Sequence, residues 1–255
     1  MTAFAIHPGL KDKTVLITGG ATGIGEAHVR AFHGQGARVA FIDIAEDEGK
    51  ALAAALAKEP GHAPLFFKAD LTDLSALAAT LDAIVEEMGD VEVLINNAAN
   101  DTRHTLAEVT EESFNDNIAV NLRHFVFTSQ RLIPGMQRMG RGAIVNFGSI
   151  TWRAAMHGLP LYAMAKAGIE GLTRALASEF GKDRIRVNCV VPGWVMTERQ
   201  LRLWVDATAE EKINTNQCLP DRVQPEDLAR MAVFLASEDS RMCTAQTFIV
   251  DGGWL

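Results

Sequence analysis

Seven short apolar runs rich in β-branched residues recur along the chain: TVLITGG (14–20), RVAFID (38–43), PLFFKAD (64–70), VEVLINNAA (91–99), GAIVNFGS (142–149), RIRVNCVVPG (184–193) and QTFIVDGG (246–253). They lack the apolar–polar alternation of a strand with one wet face, so they read as strands covered on both sides. Between them, residues 23–36, 45–59, 74–89, 111–133, 161–181 and 225–237 carry apolar side chains at helical spacing and end near Gly or Pro. Right-handed crossovers then place helices on both faces of one twisted sheet. The pattern predicts an α/β, Rossmann-type doubly wound fold with a seven-stranded parallel sheet, one domain over 1–255.

Residues 194–224 break this rhythm with mixed helical and irregular character after the sixth strand. Ligands of open α/β sheets sit outside the carboxyl ends of the strands, so an elaboration there is expected to form a substrate lid. A surface excursion without a role is the plainer alternative.

Composition narrows the function. At 255 residues, 48% hydrophobic and 22% charged, the chain is an ordinary globular protein with one core. Its formal charge of −8 argues against an electrostatic grip on nucleic acid or an anionic membrane. Cys189, Cys218 and Cys243 form no Cys-x-x-Cys pair and no metal-like spacing with histidines, so reduced thiols and no metal site are expected. The start MTAFAIHPGLKDK lacks the features of a signal peptide, and no apolar stretch is long enough to span a bilayer. These features predict a cytoplasmic protein whose partner is a small molecule.

The first strand runs into TGGATGIG (18–25). Gly19, Gly23 and Gly25 allow a tight turn and a close approach to a phosphate, and the helix that opens there offers its amides to the anion. This predicts a dinucleotide site that includes Thr22 and Ile24; a plain glycine-rich turn is the alternative. Asp43 ends the second strand, where a carboxylate accepts from the ribose hydroxyls of NAD and repels a 2′-phosphate. With Ile44 following it and no basic neighbour, NAD is favoured over NADP, while a helix-capping role for Asp43 stays open. Asp70, beside Leu71, can reach an adenine amino group or cap the next helix, and Asn97, Ala98 and Ala99 suit the lining of a cofactor.

The only tyrosine, Tyr162, precedes Lys166 by four residues, so on a helix both lie on one face. With the glycine motif, Asp70, NNAA (96–99), Asn121, Ser149 and the Pro192-Gly193 pair followed by Thr197, the chain resembles the short-chain dehydrogenases/reductases over essentially its whole length. The resemblance implies that Tyr162 exchanges the proton of a substrate alcohol as hydride passes to or from the nicotinamide. Lys166 and an oxidised nicotinamide, both positive, favour the phenolate. It also implies that Ser149 holds the substrate oxygen, that Asn121 positions a water leading to Lys166, and that Lys166 bonds the nicotinamide ribose. Pro192, Gly193, Val195 and Thr197 join the cofactor site, and the chain is expected to form a homotetramer.

Within that family, NNAANDTRH (96–104), NLRHF (121–125), NFGSITW (146–152), CVVPGWVMTERQ (189–200) and the VDGGW ending resemble the bacterial sugar dehydrogenases, the D-xylose 1-dehydrogenase type among them, which oxidise an aldose to a lactone. Substrate contacts are then expected from Asn100, Arg103, Ser149, Thr151, Trp152, Arg153, Tyr162, Trp194 and Gln200, with the tryptophans stacking on the sugar or packing in the core. His104, Arg199 and Trp204 stand close by, and His104 and His124 read as structural. An arginine fork at Arg153 suits a carboxylate, which keeps a sugar acid oxidised at a secondary hydroxyl as an alternative. An NADPH-dependent carbonyl reductase and a non-catalytic dinucleotide sensor are the remaining rivals.

Overall fold

A computed structural model describes residues 5–255. Seven strands, β1 (Thr14–Thr18), β2 (Arg38–Asp43), β3 (Leu65–Lys68), β4 (Val93–Asn96), β5 (Gly142–Phe147), β6 (Ile185–Pro192) and β7 (Thr247–Val250), form one parallel sheet in the order β3-β2-β1-β4-β5-β6-β7. The order reverses between β1 and β4, which opens a crevice at their carboxyl ends. Helices α1 (Gly23–Gly34), α2 (Glu46–Leu56), α3 (Leu74–Met88), α4 (Glu111–Ile118), α5 (His124–Met139), α6 (Pro160–Phe180), α7 (Glu198–Leu203), α8 (Ala207–Asn216) and α9 (Pro225–Ala236) complete the chain.

The unbroken apolar runs have a direct structural cause. In β1, Val15 and Ile17 join the core under α1 and α9, while Leu16 points to the opposite core with Leu77, Leu81 and Ile84 of α3. Side chains alternate between faces, and both faces are covered by helices, so most positions of the central strands are apolar and the polar exceptions, such as Thr18, Asn96 and Asn146, are hydrogen-bonded. The same division places Val39 and Phe41 on one side of β2 and Ala40 and Ile42 on the other.

Strands stop earlier than the apolar runs do. β4 ends at Asn96 and β5 at Phe147, so Asn97, Ala98 and Ser149 leave the sheet for the crevice. The single helix expected over 111–133 is instead α4, a π turn at Ala119–Arg123, and α5. Moreover, α5 runs on through Pro134. Proline removes one helical hydrogen bond, but Pro134 and Gln130 are both exposed, so the freed carbonyl meets water while Leu132, Ile133 and Met136 stay in the core.

The 194–224 segment folds into α7 and α8, each with a side-chain cap: Thr197 accepts from the Gln200 amide and Asp206 from that of Ala209. Residues 194–200 border the crevice. Under the floor, the Asn96 amide donates to Asn146 Oδ1 at 2.9 Å and Asn146 to Thr173 Oγ1 at 3.0 Å, all fully buried. This ladder ties β4, β5 and α6 together directly beneath the site. Among the described residues no helix is long and apolar enough to cross a membrane, and no side-chain cluster could hold a metal ion.

Candidate active site

A cleft of about 1240 Å³ opens along the carboxyl ends of the strands. That exceeds the usual few hundred to about 1,000 Å³ of a single small-ligand pocket and leaves room for a dinucleotide with a substrate beside it. At one end, Gly19 and Gly23 have φ of +67° and +58°, a region that side chains rarely adopt. A Cβ on Gly25 would lie 1.7 Å from the Gly19 carbonyl oxygen, so only glycine lets α1 approach the turn. Thr22 makes no side-chain cap on α1, which leaves first-turn amides free for an anion. Asn97 locks the turn from β4: its side-chain amide donates to the carbonyls of Thr18 and Gly19, both at 3.1 Å.

Asp43 lies at the rim of this cradle. Its carboxylate accepts from the Ala21 amide at 2.9 Å and from the Ala45 amide at 3.0 Å, so it joins the glycine turn to the β2–α2 loop and is not a cap for α2, whose N-cap is Ala45. Asp70 accepts from the Thr72 amide and hydroxyl, and α3 is capped by Asp73 instead, which leaves Asp70 beside Leu71 on the cleft wall. Thr22, Ile24, Ala98, Ala99, Pro192, Gly193, Val195 and Thr197 also line it.

Halfway along the cleft stand Ser149, Tyr162 and Lys166. Pro160 starts α6 at its first turn, so Tyr162 and Lys166 follow on consecutive turns of one face. The Thr151 amide donates to Ser149 Oγ at 3.2 Å, and the Ser149 hydroxyl acts on the Tyr162 phenol to lower its proton affinity. Lys166 is buried, donates to the Phe147 carbonyl at 2.8 Å, and has its Nζ 5.5 Å from the Tyr162 ring centre. Burial pushes the Lys166 ammonium down to about 8. Burial, with the Asp101 charge, pushes the Tyr162 phenol above its ordinary value, against the smaller effects of Ser149 and Arg103. Asn121 sits behind the cleft, in the π turn, where its side chain grips the Asn100 backbone: Oδ1 accepts at 2.9 Å and Nδ2 donates at 3.0 Å.

The remaining wall is polar. Asn100, Asp101, Arg103, Thr151, Trp194 and Gln200 line it. Gln200 donates to Asp101 at 2.6 Å and accepts from Trp194 Nε1 at 3.1 Å, while Arg199 pairs with Asp101 at 3.2 Å. Two expected contacts are absent here. Arg153 forms a bidentate ion pair with Glu170, which also accepts from Trp152 Nε1 at 3.0 Å, and neither residue lines the cleft. Trp152 and Arg153 are therefore corrected: Glu170 on α6 draws both side chains away, and the carboxylate anchor expected at Arg153 is already neutralised. His124 is buried at a pKa of about 3, with Ala98 O on its Nε2, and His104 meets the Leu161 amide, so neither serves as an acid or base.

The family model described as enoyl-(acyl carrier protein) reductase matches residues 19–255. Over 250 residues the chain is 49% identical to the D-xylose 1-dehydrogenase of Caulobacter vibrioides, covering 98% of both. The chain belongs to the short-chain dehydrogenase/reductase family. A protein assigned as a galactose dehydrogenase in Rhizobium meliloti is 48% identical over 246 residues, 96% of each chain. The L-sorbose reductase of Gluconobacter frateurii, solved with NADPH and L-sorbose, superposes with a TM-score of 0.92 at 27% identity, over 98% of this chain and 99% of that one.

As a short-chain dehydrogenase/reductase, this oxidoreductase takes a nicotinamide dinucleotide, and the uncapped start of α1 and the side-chain-free approach at Gly25 fit one. Asp101 is the residue that sequence reasoning passed over. Its signal was present, an acid directly after the fourth strand's amide run and two positions before Arg103, but only the fold brings Asp101 into the same cleft as Tyr162.

Proposed function

We propose that this protein is an NAD-dependent dehydrogenase that oxidises an aldose at its anomeric hydroxyl to the lactone. The observation that carries the reading is the convergence of Ser149, Tyr162 and Lys166 with a wall of hydroxyl-binding side chains, Asp101, Arg103 and Gln200, in one cleft. The 49% identity to a D-xylose 1-dehydrogenase across both chains supports the same substrate class.

The dinucleotide supplies the hydride acceptor. Ser149, fixed by the Thr151 amide, holds the substrate oxygen; Tyr162 takes its proton; buried Lys166 supplies positive charge to the phenol and a donor for the ribose. Asn121 fixes the Asn100 segment, and the family likeness gives it the further role of positioning a water that leads from Lys166 to solvent. Asp43 favours NAD, because its carboxylate repels a 2′-phosphate at the rim, and Arg30, the cation lining that end, is paired with Glu26 at 2.7 Å. Residues 194–224 serve as the lid. Exposed Phe114, Val126, Phe127 and Met164 on α4, α5 and α6 supply the faces for a cytoplasmic homotetramer.

The test is NADH formation with a panel of aldoses and sugar acids, run with NAD and NADP in parallel. Turnover of free pentoses or hexoses with NAD is expected. Turnover confined to acids, or a preference for NADP, would overturn the corresponding part of the reading.

A further inference from the structure

Arg103, in the loop after β4, has its guanidinium carbon over two indoles, 5.8 Å from the Trp194 ring centre and 5.0 Å from that of Trp204. Its Nε is buried without a hydrogen-bond partner, and among the described residues no acceptor or carboxylate engages its side chain. Aromatic faces attract a guanidinium from above and below, but its five N–H donors lie in its plane and need oxygen acceptors. The one acid close in the chain, Asp101, is committed to Arg199 and Gln200. Arg103 nevertheless lines the same cleft as Ser149 and Tyr162. An unpaired guanidinium with a buried Nε, set over two indoles on the wall of a cleft, is a recognition element awaiting a ligand.

Two ligand chemistries suit such a fork, a carboxylate or an adjacent pair of hydroxyls. Asp101 lines the same wall, and its carboxylate, beyond the Arg199 and Gln200 contacts, can accept from a hydroxyl but not from a second carboxylate, which has no proton to donate. A neutral sugar has no such conflict, because its hydroxyls accept from Arg103 and donate to Asp101. Thr151 Oγ1, buried, partnerless and lining the same cleft, adds a further hydroxyl partner.

We propose that Arg103 is the specificity-determining residue of this site and reads two neighbouring hydroxyls of the neutral sugar away from the reacting carbon, an inference that rests on the aldose dehydrogenase reading above. Trp194 and Trp204 then act as the stack that holds the reader and not as platforms for the sugar. Trp204 follows α7, so the stack also ties the 194–224 segment to the loop after β4.

The experiment compares wild type, Arg103→Met and Arg103→Lys on an aldose the wild type oxidises, its deoxy analogues and the matching uronic acid, with NADH affinity measured by fluorescence. Wild type is expected to prefer the aldose over at least one deoxy analogue by tenfold or more in kcat/KM. Arg103→Met is expected to lose roughly 100-fold on the aldose, mainly through KM, and to abolish that preference, with NADH affinity unchanged and partial recovery in Arg103→Lys. An equal loss on the aldose and every deoxy analogue would mean a structural role and overturn the inference. So would a preference for the uronic acid that disappears in Arg103→Met. Wild-type inactivity on every neutral aldose overturns the activity reading and the inference with it, whereas turnover with selectivity unaltered by Arg103→Met overturns the inference alone.

Discussion

Tyr162 and Lys166 lie one helical turn apart, yet their surroundings move their proton affinities in opposing ways. Burial lowers the lysine to about 8 and raises the phenol. Proximity alone suggested a phenolate; desolvation outweighs it because an anion in a closed cleft loses its water. Tyr162 is thus held in its protonated form, and the positive charge of an oxidised dinucleotide, when bound, would favour its ionisation. A phenol that works as acid and base is replaced by nothing else here, since His104 and His124 are committed to main-chain groups. Tyr162→Phe should lower kcat at least a thousandfold while nucleotide binding by fluorescence titration stays within a few-fold; turnover within tenfold of wild type would sink the assignment.

At the scale of elements, the site depends on close approaches that a side chain would forbid. α1 meets the glycine turn at Gly25, and Asn97 bonds the same carbonyls from the end of β4. Gly25→Ala forces these elements apart. It should destabilise the protein by about 1–3 kcal/mol in urea unfolding and weaken NAD at least tenfold; unchanged NAD affinity would show that the turn does not hold the pyrophosphate. The π turn works similarly. It inserts one extra residue into the helical rise at Ala119–Arg123, which turns Asn121 inward to the Asn100 backbone. The apolar spacing of 111–133 held through this bulge, so helicity was legible while the bulge was not, because it is stabilised by a loop 21 residues away in sequence.

Across the whole molecule, buried histidines contribute to the response to acid. His28 on α1 packs 4.6 Å from Phe147, has no partner on either ring nitrogen, and is pushed down to about 3 by burial; His124 reaches about 3 mainly for the same reason. Their folded values lie below the unfolded value of about 6.5, so between those limits the unfolded chain binds more protons. Stability therefore falls as pH drops below about 6.5, by about 2 kcal/mol per histidine at pH 5. His28→Leu should shrink the loss of urea midpoint between pH 7 and pH 5, and an unchanged loss would exclude His28 as a contributor.

Much of this protein was decided by local chemistry that a sequence displays. Strands covered on both faces are largely apolar, phosphate turns need glycine, and a tyrosine four residues before a lysine must share its helix face; the central strands of the sheet, the cradle at 18–25 and the Tyr162–Lys166 pair follow, whereas β3 and β7, at the sheet edges, are only partly buried. Tertiary structure alone decided the partners of long, flexible charged side chains. Arg153 lay four residues after Ser149 and looked free, but Glu170, 17 residues on, claims it. Arg103 gave no sign of isolation, yet two indoles from separate segments hold it unpaired while Arg199 and Gln200 occupy its neighbour Asp101. Backbone periodicity is a short-range property and is written along the chain; charge pairing and desolvation depend on which distant elements meet, and only the folded molecule brings them together.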